Sequence, residues 1–80
     1  MPVIAYVTDW CPDCSDSKRL LRQLGVKYRE VDIDAVPGAE EEMKSRNGGV
    51  RRVPTILIND TVLVEPTEIE LRDALKPRQS

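Results

Sequence analysis

The chain has 80 residues, of which 40% are hydrophobic and 32% are charged, and its formal net charge is -2. This length suits one small domain, and we expect residues 1–80 to form it. The acidic balance argues against a nucleic-acid partner, and no apolar run approaches the ~18 residues of a membrane span. The composition therefore predicts a globular, cytoplasmic protein, with neither nucleic acid nor membrane among its partners.

A strand followed by a helix is predicted at the start of the chain. VIAYVT, residues 3–8, is a short β-branched run that fits a buried strand. Residues 9–12 break this pattern, and from Asp13 onward the sequence favours a helix that ends at Gly25, a residue typical of helix C-termini. The predicted apolar stripe of this helix consists of Cys14, Leu20, Leu21 and Leu24.

A second strand and a second helix are predicted next. KYREVDI, residues 27–33, alternates between two faces with a period of two residues, as a strand does. A helix is expected to begin near Pro37, because the acidic residues 40–42 suit the positive end of a helix dipole. The Asn-Gly-Gly sequence of residues 47–49 should end this helix.

The second half of the chain predicts a hairpin and a last helix. TILI, residues 55–58, and TVLV, residues 61–64, are separated by two turn residues, which indicates two antiparallel strands. Thr67 and Glu70 have the spacing of a capping box, so the last helix is expected to begin there and to end at Pro77. The order β-α-β-α-β-β-α predicts an α/β fold in which three helices flank a four-stranded mixed sheet.

The two cysteines of the chain, Cys11 and Cys14, are separated by two residues. A structural disulfide across so short a loop would stabilise the fold by only about 2 kcal/mol, and such disulfides are rare in the cytoplasm. A zinc or iron-sulfur site normally needs four ligands, but the chain has no His and no second cysteine pair. Within one copy of the chain only carboxylates could complete such a site, whereas two copies could supply four thiolates. A redox-active dithiol is therefore the favoured interpretation.

The position of each cysteine predicts its role in a dithiol. Cys11 lies where the first strand meets the first helix, and the free N–H groups and the dipole of a helix start stabilise a thiolate. Cys11 is therefore predicted to be the attacking sulfur. Cys14 lies one turn further and is expected to be more buried, so it is predicted to resolve the mixed disulfide. Pro12 fits the first helical turn and shapes the loop that holds both sulfurs.

Two residues beside the cysteines allow more than one interpretation. Trp10 could form a wall against which a substrate lies, or it could pack against the helix, and both interpretations stay open. Asp13 fits a solvated helix start better than a specific catalytic role, although it places a negative charge near Cys11.

Three features together resemble a glutaredoxin of the thioredoxin superfamily. They are the Cys-Pro-x-Cys motif of residues 11–14 after the first strand, Val53-Pro54 before the third strand, and the order of the elements. The resemblance covers about residues 3–75, and the chain has no room for the extra strand and helix that precede the motif in thioredoxins. It implies a thioredoxin-like (glutaredoxin) fold and a disulfide oxidoreductase without a bound cofactor.

The resemblance also assigns roles to individual residues. It implies that Cys11 is the nucleophile, that Cys14 is the resolving cysteine, and that Pro54 is a cis-proline facing them. The backbone of Val53 would then bind an extended substrate or glutathione as an added strand would. The remaining residues expected to contact the substrate are Trp10, Pro12, Asp13, Arg52 and Thr67.

The chain departs from the pattern of the glutathione-using members. They have Lys where this chain has Thr8, Tyr where it has Asp13, and a second glycine before the last helix where it has Glu65. Glutathione carries two carboxylates, so Glu65 is expected to repel it. Residues 51–52, both Arg, either offset part of this repulsion or belong to a solvated loop, and both interpretations stay open.

The sequence thus predicts a monomeric thiol-disulfide oxidoreductase that reduces protein or low-molecular-weight disulfides and binds glutathione weakly. Its electrons would come from glutathione or from a flavin-dependent thioredoxin reductase, and its partner would be a disulfide-containing protein. Three alternatives stay open. One is a dimeric iron-sulfur or metal-binding module, another is a thioredoxin-reductase-dependent electron donor to one specific reductase, and the third is a redox-inert binding domain.

Overall fold

The computed structural model describes residues 2–76, and these form four strands and three helices. The strands are β1 (Val3–Val7), β2 (Arg29–Asp32), β3 (Thr55–Ile58) and β4 (Thr61–Val64). The helices are α1 (Pro12–Gln23), α2 (Ala39–Arg46) and α3 (Glu68–Ala74). Their order along the chain is β-α-β-α-β-β-α, so the predicted order is confirmed.

The four strands form one mixed sheet in the order β2-β1-β3-β4. β1 and β2 are parallel, whereas β3 runs antiparallel to both β1 and β4. Parallel neighbours need a crossover connection, and α1 provides it. β1 is an interior strand of the sheet, and the chain that leaves its carboxyl end continues directly into α1.

Side chains that alternate along β1 are divided between two hydrophobic cores. Val3, Ala5 and Val7 pack with the buried side chains of α1 and α3, whereas Tyr6 packs with those of α2. β3 contributes to both cores in the same alternating way. α1 and α3 therefore cover one face of the sheet and α2 covers the other, as the period of two residues in a strand requires.

The first two strands are shorter than the sequence predicted. β1 ends one residue before the predicted range 3–8 does, and β2 covers four of the predicted residues 27–33. The parallel register places Asp32 beside Val7, the last residue of β1, so the pairing within β2 ends there. The predicted bounds of β3 and β4 agree with the structure.

The helices begin close to their predicted positions. α1 begins at Pro12, one residue before the predicted start, and α2 begins at Ala39 rather than near Pro37. Gly38 has φ +81°, in the left-handed region that favours glycine, so regular helix starts only after it. The predicted end of α3 at Pro77 lies outside the described residues. Within residues 2–76 no helix combines the length and the apolar character that crossing a bilayer demands.

The prediction that Leu24 belongs to the apolar stripe of α1 is wrong. Leu24 follows the last helical residue and is 36% exposed, while Ser17 occupies a buried position of the stripe instead. The chain turns away from the helix axis at Gly25, which has φ +70°, and this turn leaves Leu24 outside the core.

Candidate active site

Cys11 lies between the carboxyl end of β1 and the first turn of α1. It is the N-cap residue of α1, with an extended backbone, and its Sγ atom accepts a hydrogen bond from the backbone N–H of Cys14 at 3.1 Å. The first N–H groups of a helix have no partners within the helix, so the sulfur fills the role that an oxygen has at other N-caps. A backbone donor thus holds the Cys11 sulfur at the start of α1.

The two sulfurs differ in their access to solvent. Cys11 is 6% exposed, whereas Cys14 is fully buried, so the prediction that Cys14 is the more buried cysteine is confirmed. On the side facing β3, the backbone carbonyl of Val53 lies 4.0 Å from the Sγ atom of Cys11. Cys11 therefore lies between the start of α1 and the segment that enters β3, with a small part of its surface open.

Burial also determines the acidity of the second thiol. The pKa of Cys14 is raised from 9.0 to about 12, first because burial disfavours the charged thiolate and second because of the hydrogen bond with Cys11. A hydrogen bond from the backbone of Thr8 and the charge of Lys18 act in the opposite direction. Cys14 is therefore protonated at neutral pH.

The segment before β3 forms the second wall around Cys11. The Val53–Pro54 peptide bond is cis, as the resemblance implies, and Pro54 is buried. Val53 is half-buried and packs against both cores, which fixes its carbonyl in front of Cys11. The hydroxyl of Thr55 donates a 2.7 Å hydrogen bond to the carbonyl of Arg52 and holds this segment to the start of β3.

The predicted substrate-contacting residues around the first turn of α1 are all exposed. Trp10 directly precedes Cys11 and is 66% exposed, so its ring does not pack into either core. Pro12 and Asp13 are exposed on the first turn of α1. These three exposed residues flank Cys11 along the chain, and their contact with a substrate stays a prediction.

Arg52 and Glu65 form an ion pair, although the sequence analysis considered their effects on glutathione binding separately. A guanidinium nitrogen of Arg52 lies 3.1 Å from a carboxylate oxygen of Glu65, and both side chains are about half exposed. Ion pairs at exposed positions contribute about 0–1 kcal/mol, so each charge is only partly compensated. Arg51 is instead engaged by the carboxylates of Asp34 and Glu40.

Thr67 caps α3, as the sequence predicted. Its Oγ1 atom accepts a hydrogen bond from the N–H of Glu70 at 3.1 Å, and its own N–H donates to the Glu70 carboxylate at 2.8 Å. The capping box is therefore confirmed. Because a carboxylate already occupies the Thr67 N–H, an anionic ligand at this position would compete with Glu70.

Two buried polar residues near the thiols were not identified as site residues from the sequence. Thr8 is 2% exposed, and its Oγ1 atom has no hydrogen-bond partner within the described part of the chain. Ser17 is 6% exposed and lies three residues after Cys14 on the buried face of α1. Its helical spacing from Cys14 is a signal that could have identified it.

A groove of about 530 Å³ lies between α1 and α3. One of its lining residues is Asp13, which follows Cys11 by two residues, so the groove extends from the first turn of α1. Ser17, Leu20 and Leu71, all buried, belong to its lining. We call it the acidic groove, because its charged lining residues are Asp13, Asp16, Arg19, Glu65 and Glu68.

A metal centre would need ligands beyond the two cysteines, which are free thiols. Residues 2–76 contain no group of three or more His, Cys, Asp or Glu side chains placed to hold a metal ion. A site built on Cys11 and Cys14 would therefore need ligands from a second copy of the chain or from a bound molecule.

Comparisons with known proteins agree with this geometry. A family model described as Glutaredoxin matches residues 3–63. The chain is 40% identical over 60 residues to a glutaredoxin of Pseudomonas aeruginosa, covering 75% of this chain and 70% of that protein. It is 44% identical over 59 residues to Mycoredoxin 1 of Corynebacterium glutamicum, covering 72% and 71%. The solved structure of the glutaredoxin-like protein NrdH-redoxin from Escherichia coli superimposes with a TM-score of 0.83 at 24% identity, over 99% of this chain and 100% of that one.

Proposed function

The chain belongs to the glutaredoxin family and is a glutaredoxin-like disulfide oxidoreductase, and we propose that it reduces protein or low-molecular-weight disulfides with Cys11 and Cys14. The observation that supports this proposal is the unequal environment of the two thiols. Cys11 keeps 6% of its surface exposed and accepts an N–H hydrogen bond, whereas Cys14 is fully buried with a pKa raised to about 12. An attacking sulfur must be accessible and ionised, and a resolving sulfur must stay protonated until it is needed.

The proposed reaction has two thiol-disulfide exchanges. In the first, the Cys11 thiolate attacks one sulfur of the substrate disulfide, the substrate S–S bond breaks, and the released thiolate takes up a proton. In the second, Cys14 loses its proton and attacks the Cys11 sulfur, so the other half of the substrate leaves as a thiolate and is protonated. A Cys11–Cys14 disulfide remains, and the substrate has gained two electrons and two protons.

The first exchange prepares the second. The charge of Cys11 and its hydrogen bond with Cys14 both raise the pKa of Cys14. Once Cys11 is bonded to the substrate, it carries no thiolate charge, so this contribution to the high pKa of Cys14 is removed. Deprotonation of Cys14 thus becomes easier at the stage at which its attack is required.

For the electron donor we propose a flavin-dependent reductase of the thioredoxin reductase type, with glutathione as a weak donor. Glutathione carries two carboxylates, and the carboxylates of Asp13 and Glu65 lie on the rim of the site. The N–H of Thr67, which could bind an anion at the start of α3, is already occupied by the carboxylate of Glu70. Each of these features opposes the binding of an anionic tripeptide.

For the substrate we propose an extended peptide segment that contains the disulfide. The carbonyl of Val53, 4.0 Å from the Cys11 sulfur, offers backbone hydrogen bonding beside the reacting atom. Trp10, Pro12 and Asp13 are exposed, flank Cys11 along the chain, and would contact the residues next to the substrate cysteine. Arg52 and Thr67 would lie further along the same surface, next to Pro54 and α3 respectively.

We also propose that the protein acts as a monomer in the cytoplasm. Both sulfurs of the proposed reaction come from one chain, so no second copy is required for two-electron transfer. Recycling the Cys11–Cys14 disulfide to the dithiol needs a reducing compartment, which the cytoplasm provides.

A comparison of electron donors tests the proposal. The oxidised protein is mixed with a neutral disulfide substrate and either glutathione plus glutathione reductase or thioredoxin reductase, each with NADPH, and NADPH consumption is recorded. We expect steady turnover with the flavin-dependent reductase and weak turnover with glutathione. Absence of disulfide reduction by the pre-reduced protein would contradict the proposed function. A metal content near one ion per dimer together with visible absorbance would support the metal-binding alternative instead.

A further inference from the structure

The acidic groove between α1 and α3 bears on which disulfides the dithiol reduces. We propose that it binds the cationic side chain of a Lys or Arg next to the reactive cysteine of a peptide or protein disulfide. This inference rests on the proposed function, because it names the substrate class of the same site. It concerns a part of the surface that the two-step exchange itself does not use.

The groove lies within reach of a residue that neighbours the substrate cysteine. Asp13 follows Cys11 by two residues and lines the groove at the first turn of α1. Consecutive residues of an extended chain are about 3.8 Å apart, and a Lys or Arg side chain spans a further ~6 Å. A peptide bonded to Cys11 and aligned along Val53 can therefore direct a neighbouring side chain into the groove.

The charges along the groove favour a cation. Its lining contains four carboxylates and one guanidinium. Asp13 forms no ion pair within residues 2–76, whereas the other three carboxylates each pair with an arginine on the surface. All six side chains in these pairs are at least 45% exposed, so the pairs are weak and a ligand cation can share their carboxylates. The pairs are Asp16–Arg19, Glu65–Arg52 and Glu68–Arg72, at 3.6, 3.1 and 2.9 Å.

The lining also offers a polar group and an apolar surface. Ser17 lines the groove and is 6% exposed. Its hydroxyl oxygen can accept a hydrogen bond from an ammonium or guanidinium group that enters the groove. Leu20 and Leu71 are buried in the lining beside it, where the methylene stem of a Lys or Arg can pack.

Three peptide disulfides test the inference. They share one sequence and one neutral leaving thiol, and they carry Lys, Gln or Glu next to the reactive cysteine. The pre-reduced protein is mixed with each peptide, and the single-turnover rate is measured at low salt and at about 0.5 M salt. At low salt we expect the Lys peptide to react about tenfold faster than the Glu peptide, and this ratio should fall severalfold at high salt.

A matched pair of variants separates the groove from the overall charge. Glu68→Gln removes one carboxylate from the groove and is expected to lower the ratio of Lys to Glu peptide rates about two- to fivefold. Asp60→Asn removes the same charge from the β3–β4 turn, which lies at the opposite end of the sheet from Cys11, since Val3 pairs with Ile58. This control should leave the ratio unchanged.

The outcomes distinguish the inference from the proposed function. If the wild-type protein reduces the Gln peptide but shows no preference between the Lys and Glu peptides, the proposed function stands and this inference is wrong. A preference that Glu68→Gln and Asp60→Asn change equally would also overturn it, because the effect would then come from net charge. If the Gln peptide is not reduced at all, the proposed function itself is wrong.

Discussion

The guanidinium of Arg52 lies 3.1 Å from the carboxylate of Glu65, so the two residues act on an anionic substrate as a pair. The backbone also brings them to this place. The N–H of Glu65 donates a 2.8 Å hydrogen bond to the carbonyl of Pro54, two residues after Arg52, and Glu65 has φ +48°. The two charges therefore act on glutathione from nearly the same place, and their effects should oppose each other.

A double-mutant cycle at this pair measures its effect on the use of glutathione. Glu65→Gln should raise glutathione-dependent turnover about two- to fivefold, because Arg52 is then free to attract a carboxylate. Arg52→Gln should lower it by a similar factor, because the charge of Glu65 is no longer compensated. The double variant should return close to the wild-type rate at low ionic strength.

A distant charge provides the control for this cycle. Glu41→Gln changes an exposed residue of α2, on the opposite face of the sheet, and should leave glutathione-dependent turnover unchanged. Faster turnover of the Arg52→Gln variant would contradict the prediction, since it would show that Arg52 hinders glutathione rather than attracting it.

Substitution of each cysteine tests the assignment of the sulfurs. Cys11→Ser should abolish disulfide reduction, whereas Cys14→Ser should accumulate a covalent Cys11–substrate disulfide, because the resolving thiol is absent. Mass spectrometry of the intact protein after reaction with a peptide disulfide detects this adduct. Faster alkylation of Cys14 than of Cys11 in the wild-type protein at neutral pH would show that the roles are reversed.

The raised pKa of Cys14 predicts how the stability of the reduced protein depends on pH. The folded protein keeps the Cys14 proton up to about pH 12, whereas the unfolded chain releases it near the ordinary value of 9.0. Above that value the folded state binds more protons than the unfolded state, so stability falls as the pH rises. The loss due to Cys14 should be about 1.4 kcal/mol per pH unit, and Cys14→Ala should remove it.

Urea unfolding of both proteins at pH 7 and pH 10.5 checks this prediction. The free energy of unfolding of the reduced wild-type protein should fall by roughly 2 kcal/mol more than that of Cys14→Ala over this range. Parallel changes in the two proteins would mean that Cys14 ionises in the folded state much as it does in the unfolded chain.

Trp10 is predicted to act on the substrate and not on the fold. Because its side chain is 66% exposed, Trp10→Ala should change the free energy of unfolding by less than about 0.5 kcal/mol. It should raise KM for a peptide disulfide severalfold and change the reduction of 2-hydroxyethyl disulfide little, since that small molecule cannot reach across the ring. A loss of stability above about 2 kcal/mol would instead assign Trp10 a packing role.

Local sequence signals predicted the elements whose ends depend on local chemistry. The two-residue turn defined β3 and β4, and the spacing of Thr67 and Glu70 defined the start of α3. Where an end depends on a neighbouring strand or on backbone conformation, the prediction was less accurate. β2 ends at Asp32, which lies beside the last residue of β1, and Gly38 delays the start of α2.

In the candidate site, too, features set by local sequence were predicted and features set by distant residues were not. The cysteine motif and its position before a helix were sufficient to predict a buried Cys14 and an N-terminal Cys11. The pairing of Arg52 with Glu65 joins residues that are 13 positions apart, and no local pattern indicates it. The groove between α1 and α3 likewise exists only after two distant helices pack side by side, which is why the sequence did not indicate it.

The segment that faces Cys11 is held in place from the opposite face of the sheet. Arg51 joins it to Asp34 and to Glu40 of α2, and Asn47 donates a 2.9 Å hydrogen bond to the Thr55 hydroxyl. Of these partners, Glu40 belongs to α2 and Asn47 directly follows it, on the face of the sheet opposite α1. Substitutions on the α2 side of the sheet can therefore change which disulfides fit between Cys11 and the segment that enters β3. The reacting groups stay the same.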